Sequence, residues 1–241
     1  MTFIIIIKVL SNQHGFLGED NSQMSIVEDS LSKLRNEIVP YKPIIVAVTK
    51  YFGVEKLVEA YDAGLRDFAE NRIQDALEKF GGLPDEIKRN STFHLIGHLQ
   101  SNKVKKAVGQ FGLIQSVDSF KIARAISLEA KEQGIIQRVL LQVNNADEES
   151  KFGFSKDVLD GCFEQIIELE NVQVDGIMNI APIADDETLR FLFKDLKRFK
   201  EYLENKYNYR LRELSTGMSD DYKIALEEGS TMVRIGRKLF I

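Results

Sequence analysis

The sequence is poor in cysteine and histidine, and it has no apolar stretch long enough to cross a membrane. Its single cysteine, Cys162, cannot form an intrachain disulfide, which predicts a reducing, cytoplasmic setting. Three histidines without a cysteine or acidic cluster beside them argue against a metal site. The apolar run at residues 3–7 is too short to span a bilayer and makes a poor signal peptide. A net charge of -5 disfavours binding to nucleic acid or to an anionic membrane.

Strand-like apolar runs alternate with amphipathic helical segments from Pro43 to the end of the chain. The predicted strands are 44–48, 65–68, 92–96, 113–117, 139–143, 172–178, 211–214 and 232–235. Eight strand–helix steps favour a closed (β/α)8 TIM barrel, of the α/β class, over an open doubly wound sheet. A further helix, with an apolar stripe from Val27 to Ile38, is expected ahead of the first strand.

The domain organisation follows from the same pattern. Because no Pro/Ser-rich linker divides the chain, residues 24–241 are expected to form a single domain. Residues 1–23 turn polar after their short apolar run and lead into a better helical segment at Met24. We interpret residues 1–23 as a poorly ordered leader. The alternative is that Met24 is the true start of the protein.

Lys50 ends the first apolar strand, Ile-Ile-Val-Ala-Val-Thr-Lys, and a helix follows Gly53. In such barrels, the catalytic and ligand-binding residues lie on the loops that follow the strands. A primary amine fixed there is placed to form an imine with an aldehyde. Many strands also end in a solvated lysine, so the position alone leaves both interpretations open.

The loops after the seventh and eighth strands are candidates for an anion site, because barrels often bind phosphate there. The first loop, 215–222, contains Gly217 and a predicted helix start with Ser219 or Asp220 as the N-cap. The second loop, Arg234-Ile-Gly-Arg237, adds another glycine and two guanidinium groups. Together they predict a phosphate cup of backbone amides and hydroxyls, with Ser215 and Ser219 as donors. The alternative is a capped helix and a surface pair of arginines.

Other polar residues carry weaker signals. Asn71 follows the second strand at the same barrel end as Lys50, where it can bind a ligand or simply cap the next helix. His94 is expected to alternate with core residues along the third strand, and His98 to lie in the loop after it. Cys162 lies on an apolar helix face, which predicts a buried, inert thiol.

Five segments together resemble a known family in order and spacing. They are VAVTK (46–50), FAENR (68–72), HLIGHLQSNK (94–103), STGMSDDY (215–222) and VRIG (233–236). They are similar to those of the YggS/PROSC family of pyridoxal phosphate-binding proteins, over about residues 26–240. The resemblance implies the alanine racemase N-terminal type of barrel, which is fold type III among pyridoxal phosphate proteins.

The resemblance also implies roles for individual residues. Lys50 would form the internal aldimine with pyridoxal 5′-phosphate, and Arg234 would face the pyridine nitrogen. Asn71 would lie near the ring, with Met218 packed close by. The phosphate would be surrounded by Ser215, Gly217, Ser219, Gly236 and Arg237.

The sequence departs from the usual family pattern at three positions: Ala69, Phe93 and Thr216 stand where Gly, Trp and Met are common. Arg237, close to the end of the chain, is a less secure contact and would act through its backbone N–H. Neither Lys50 nor Arg234 is affected by these departures.

Three functions are compatible with these residues. The first is a carrier or buffer of pyridoxal phosphate in vitamin B6 homeostasis, with acceptor apoenzymes as partners. The second is an amino-acid racemase or related enzyme; racemases of this fold take a tyrosine base from a second domain, and this sequence stops just after the eighth strand. The third is an interaction module that uses the basic face of Lys103, Lys105 and Lys106. Because a closed barrel has no sheet edge to cover, we expect a monomer.

Overall fold

Within the described part of the chain, eight parallel strands pair in chain order and close into a barrel, with β8 beside β1. The computed structural model describes residues 25–146, 148 and 151–241. The strands are β1 Ile44–Val48, β2 Asp67–Glu70, β3 Thr92–Leu95, β4 Leu113–Val117, β5 Gln137–Gln142, β6 Val172–Met178, β7 Glu213–Met218 and β8 Met232–Ile235. The predicted TIM barrel is confirmed.

Helices separate the strands, and one helix precedes β1 as predicted. The helices are α1 Ile26–Glu37, α2 Val54–Asp62, α3 Ile73–Gly81, α4 Asp85–Asn90, α5 Val104–Ala107, α6 Phe120–Gln133, α7 Lys156–Ile167, α8 Asp186–Tyr207, α9 Tyr222–Glu227 and α10 Arg237–Phe240. A short 3-10 turn, Ser101–Lys103, leads into α5. The short helices α4 and α10 were not predicted, since neither is long enough to show helical periodicity.

Four predicted strands differ from the observed ones, and β3 and β5 do so only by one or two residues at their ends. The strand predicted at 65–68 lies at Asp67–Glu70, because α2 ends in a turn through Gly64 (φ 95°). In that turn the Leu65 N–H donates to the Ala60 carbonyl at 3.0 Å, so Leu65 closes the helix. The strand predicted at 211–214 runs instead from Glu213 to Met218. The first part of the predicted phosphate loop is therefore the end of a strand.

Side chains of the strands alternate between two buried layers. Outward-facing residues such as Phe68 and Ile114 pack with the helices in the main core. A smaller apolar cluster fills the barrel itself and consists of Val46, Val48, Ala69, Leu113, Leu140, Met178 and Met232. Buried polar residues also occupy inward positions, among them His94 on β3, Gln115 on β4, Ser215 on β7 and Arg234 on β8. The barrel interior is thus part apolar and part polar.

Helix α1 begins at a capping box and packs its apolar side on the core. The Ser25 hydroxyl accepts from the Glu28 N–H at 3.1 Å, and the Glu28 carboxylate accepts from the Ser25 N–H at 2.9 Å. At the other end, the Glu37 carboxylate bonds to Tyr222 and Lys238, which joins α1 to α9 and α10. The hydrogen bond from Tyr222 and those from nearby lysines lower the pKa of Glu37 to about 2. Our expectations for residues 1–23 and for Met24 lie outside the described residues.

Two further expectations from the sequence concern the burial of Cys162 and the lack of a membrane-spanning segment. Cys162 is half-buried rather than fully buried, and burial raises the pKa of its thiol. Among the residues that the structure describes, no helix is both long enough and apolar enough to span a bilayer.

Replacing Ser25 with alanine removes the side-chain half of the capping box. We expect Ser25→Ala to lower the free energy of unfolding by about 1 kcal/mol, measured by urea denaturation. Ser32→Ala is the control, because Ser32 lies exposed inside the same helix and caps nothing. An equal loss in both variants would contradict a capping role.

Candidate functional site

The candidate residues lie on four neighbouring strands at the carboxyl end of the barrel. Lys50 follows β1, Asn71 follows β2, Met218 ends β7 and Arg234 lies on β8. Met218 pairs with Arg234, while β8 pairs with β1 and β1 with β2. Parallel strands bring their carboxyl ends to one rim. The structure therefore places these predicted residues along one side of that rim.

The backbone next to Lys50 is fixed by three side chains, Thr49, Glu70 and Lys79, which we call the Thr49 clamp. The buried Thr49 hydroxyl donates to Glu70 Oε1 at 2.6 Å. The Lys79 ammonium donates to the Thr49 carbonyl at 2.7 Å and pairs with the same Glu70 carboxylate. Lys50 itself is partly exposed, and its Nζ lies 4.9 Å from the centre of the Tyr51 ring. The clamp anchors the main chain and leaves the Lys50 amine accessible.

Asn71 lies against the loop after β3 in unusually close backbone contact. A Cβ atom at Gly97 would lie 2.0 Å from the Asn71 carbonyl oxygen, so this position requires glycine. The Gly97 carbonyl in turn accepts from the Ser116 hydroxyl at 2.6 Å. The alternative role of Asn71 as a helix cap is wrong, because Arg72 is the N-cap residue of α3 and no side chain caps it.

Arg234 is a buried cation with well-defined partners. Its Nη1 donates to the Ser215 carbonyl at 2.8 Å and to the Ser215 hydroxyl at 2.7 Å, and its Nη2 donates to the Asn179 carbonyl at 2.6 Å. Burial lowers the pKa of Arg234 to about 10, against the opposing effect of the Asp221 carboxylate. Arg234 is therefore charged at neutral pH, where it can donate hydrogen bonds but cannot accept them.

Three of the five guanidinium N–H groups of Arg234 are used in this way. Its Nε–H and one Nη2–H form no hydrogen bond with any residue that the structure describes. Arg234 is only 3% exposed. A buried charged group with unused donors is a feature of a site built for an acceptor.

The loops after β7 and β8 meet, as predicted for a phosphate cup. Gly217 has φ 93°, and a Cβ there would lie 2.6 Å from the Ala225 Cβ, so α9 packs close to the loop. The Gly236 N–H donates to the Ser219 hydroxyl at 3.3 Å and links the two loops. The backbone N–H groups of Ser219 and Asp220 have no acceptor among the described residues. These groups remain available to an anion.

Two details of the predicted cup differ from the structure. Neither Ser219 nor Asp220 is an N-cap: Asp221 holds that position before α9 and caps nothing with its side chain. Instead, the Asp221 carboxylate accepts from the Met218 N–H at 2.5 Å, and burial raises the pKa of Asp221. The helix begins later than predicted because the strand before it is longer.

Two predicted phosphate contacts also have partners within the protein. The Ser215 hydroxyl is fully buried between Gln115 and Arg234, so it supports the guanidinium. The Arg237 side chain forms an exposed ion pair with Asp220 at 2.7 Å. A phosphate contact through the Arg237 backbone N–H stays a prediction.

Some site residues were missed by sequence reasoning. Asn179, directly after β6, accepts from Arg234 through its carbonyl and from the Thr216 hydroxyl through Oδ1 at 2.5 Å. Its position after a barrel strand could have identified it. Thr49 and Glu70 also lie at strand ends, but no sequence signal indicated their contact with Lys79 on α3.

His94 and His98 have the predicted positions. His94 is buried within β3 as expected, and His98 lies in the following loop. The His98 Nδ1 lies 2.7 Å from Asp118 Oδ2, and its ring stacks on Phe152 with 3.6 Å between ring centres. No group of three or more potential metal ligands occurs among the residues described.

Comparison with known proteins defines the class of this barrel. The family model described as alanine racemase, N-terminal domain, matches residues 24–241. An alanine racemase structure from Clostridium difficile superposes with a TM-score of 0.71 at 15% identity, with 89% of this chain covering 56% of that one. At this identity the likeness shows the fold alone.

Closer relatives specify the family. The pyridoxal phosphate homeostasis protein of Aquifex aeolicus is 40% identical over 81% of this chain and 85% of its own length. The human protein of that name is 34% identical over 89% of this chain and 82% of its own. The structure of PipY from Synechococcus elongatus with PLP bound has a TM-score of 0.81 at 35% identity, covering 89% of this chain and all of that one. The chain belongs to this family of pyridoxal phosphate homeostasis proteins, the YggS/PROSC family.

Lys79→Met tests the Thr49 clamp. It leaves the Glu70 carboxylate, 1% exposed, without its cation, and we expect the free energy of unfolding to fall by about 3–5 kcal/mol. Adding Glu70→Gln should recover part of that loss, because it removes the unpaired charge.

The control is Lys33→Met, which removes an exposed i,i+4 pair with Asp29 and should cost less than about 1 kcal/mol. Guanidinium denaturation measures all three variants. Equal losses for Lys79→Met and Lys33→Met would mean that the clamp is only a surface pair.

Proposed function

We propose that this protein binds pyridoxal 5′-phosphate through Lys50 and acts as a carrier or buffer of the cofactor in vitamin B6 homeostasis. The observation that carries the proposal is the grouping of three features on adjacent strands. They are an accessible lysine, a buried arginine with unused donors, and a loop after β7 whose Ser219 and Asp220 N–H groups have no acceptor among the described residues. The names of the relatives, and the PLP bound to PipY, support the same ligand.

The residues present fit each part of that cofactor. When bound, pyridoxal phosphate supplies an aldehyde that condenses with a primary amine and a ring that withdraws electrons. Lys50 supplies the amine, and the unused N–H groups of Arg234 suit the acceptor nitrogen of a pyridine. Gly217, Ser219 and Gly236, with the Arg237 N–H, would hold the phosphate at the joined loops. Met218 and Asn71 border this site, and Ser215 holds Arg234.

Arg234 also favours a carrier over an enzyme. A guanidinium donates a hydrogen bond but keeps its proton, so Arg234 would leave a ring nitrogen unprotonated. An unprotonated ring withdraws electrons less effectively from a substrate carbanion. A weak electron sink slows carbanion formation, which supports a carrier. Racemases of this fold tolerate the same ring state, so the names of the relatives are the stronger support for a carrier.

We further propose a class of partner, an oligomeric state and a location for the protein. Acceptor apoenzymes are the expected partners of a cofactor carrier. The closed barrel leaves no strand edge to be covered, which favours a monomer. A single cysteine that forms no disulfide favours the cytoplasm.

Lys50→Ala tests the covalent attachment. The protein mixed with pyridoxal phosphate should show a visible absorbance band that Lys50→Ala abolishes. Borohydride reduction and peptide mapping should place the label on Lys50. Weaker noncovalent binding should remain in the variant, because the phosphate loops are intact.

Lys103→Ala is the matched control, since it removes another lysine that follows a strand at the same barrel end. Its band should equal that of the unmodified protein. A normal band in Lys50→Ala, or a label mapped to another lysine, would reject Lys50 as the attachment site.

Racemase activity is the second candidate, favoured by the fold shared with alanine racemases. We expect no α-proton exchange of alanine in D2O at enzyme-like rates, because an unprotonated ring is a weak electron sink and a carrier needs no second base on the other face of the ring. Proton NMR of the alanine Cα–H in the presence of protein and pyridoxal phosphate measures the exchange. Exchange at a rate of about 1 per second or faster would identify an enzyme instead of a carrier.

A further inference from the structure

A continuous chain of hydrogen bonds crosses the barrel interior from Arg234 to the opposite wall. The Arg234 Nη1 bonds to Ser215 Oγ at 2.7 Å, and Ser215 Oγ bonds to Gln115 Oε1 at 2.7 Å. Gln115 Nε2 lies 2.8 Å from His94 Nδ1, and His94 Nε2 lies 3.0 Å from Asp67 Oδ1. The first four residues are at most 3% exposed, whereas the Asp67 side chain is 28% exposed. We call these five residues the interior chain.

The donors and acceptors of the interior chain all run in one direction. Arg234 can only donate, so the Ser215 hydroxyl accepts from it and gives its own hydrogen to Gln115 Oε1. The Gln115 amide then donates to His94 Nδ1, which must be unprotonated, and the His94 Nε2–H donates to Asp67. The second Gln115 N–H lies 3.2 Å from the Met232 sulfur. Exchanging the oxygen and nitrogen of the Gln115 amide would place the oxygen next to the Met232 sulfur. It would also leave the hydrogen of the Ser215 hydroxyl without an acceptor.

The surroundings of the chain offer few substitutes for a lost link. The apolar side chains of the barrel cluster, such as Leu113, Leu140 and Met178, fill much of the same barrel interior. A polar group that lost its partner there would remain unpaired, which costs more than the bond itself contributes. Each link therefore depends on the next one along the chain.

We propose that Gln115 and His94 are positioning residues for Arg234: through Ser215 they hold the guanidinium with its unused N–H groups available to the pyridine nitrogen. This inference rests on the proposed function. Neither residue needs to touch the cofactor. The Asn179 carbonyl holds the other side of Arg234, so loss of the interior chain loosens the guanidinium without releasing it.

The test combines a variant with two ligands. Gln115→Met keeps a similar side-chain volume but removes the contacts of the amide with Ser215, His94 and Met232. The ligands are pyridoxal phosphate and its 1-deaza analogue, in which the ring nitrogen is replaced by a C–H group. The full chain should bind pyridoxal phosphate more tightly than the analogue. Gln115→Met should weaken the affinity for pyridoxal phosphate about tenfold and leave that for the analogue unchanged.

Leu140→Met is the matched control, because it places the same residue type at another fully buried inward position. It should keep the preference for pyridoxal phosphate. Gln115→Met weakening both ligands by the same factor would mean a general structural effect and would overturn the inference. An unmodified protein that binds both ligands equally would overturn it as well, since Arg234 would then not recognise the ring nitrogen. Failure to bind either ligand would reject the proposed function itself.

A second measurement needs neither ligand nor variant. Long-range 1H–15N NMR of the unmodified protein should show His94 neutral, with its proton on Nε2. A proton on Nδ1, or a charged ring, would break the direction of the chain and overturn the inference even if Gln115→Met did not fold.

Discussion

The candidate site depends on one buried cation. Arg234 is almost fully enclosed, yet its guanidinium is held on two sides by carbonyls of Ser215 and Asn179. Burying a charge is costly unless hydrogen bonds compensate for the lost water. Strand β7 and the residue directly after β6 supply that compensation with backbone carbonyls, which cannot drift as a flexible side chain can. These carbonyls offset the free energy of burying the charge, and they fix the position of the unused N–H groups of Arg234.

The closed barrel explains how distant segments of the chain form one site. Lys50 and Arg234 are far apart in sequence, yet β1 and β8 are neighbours because the sheet closes on itself. Closure also aligns the loops after β7 and β8, where one hydrogen bond between Ser219 and Gly236 joins them. The fold thus brings residues that are far apart in the sequence close together at one end of the barrel.

Much of this could be predicted from the sequence, for identifiable reasons. The runs 113–117 and 172–178 are mostly buried strands rich in apolar residues, and their bounds were predicted correctly. The end of β7 was missed because Ser215 and Thr216 are polar, although both are completely buried. Lys50 was found because it follows a clear strand.

The Thr49 clamp and the interior chain could not be found in this way. Their contacts join residues on separate elements, up to 100 positions apart in the case of Gln115 and Ser215. Local sequence patterns indicate periodicity and turns. They do not indicate which buried polar groups will form hydrogen bonds with each other in the folded protein.

The close contact between Gly97 and Asn71 has a consequence for how the barrel admits a ligand. The loops after β2 and β3 pack backbone against backbone, and the Ser116 hydroxyl holds the Gly97 carbonyl against β4. This side of the entrance is therefore a preformed wall. An incoming molecule finds its shape already set and does not have to spend binding energy on ordering it.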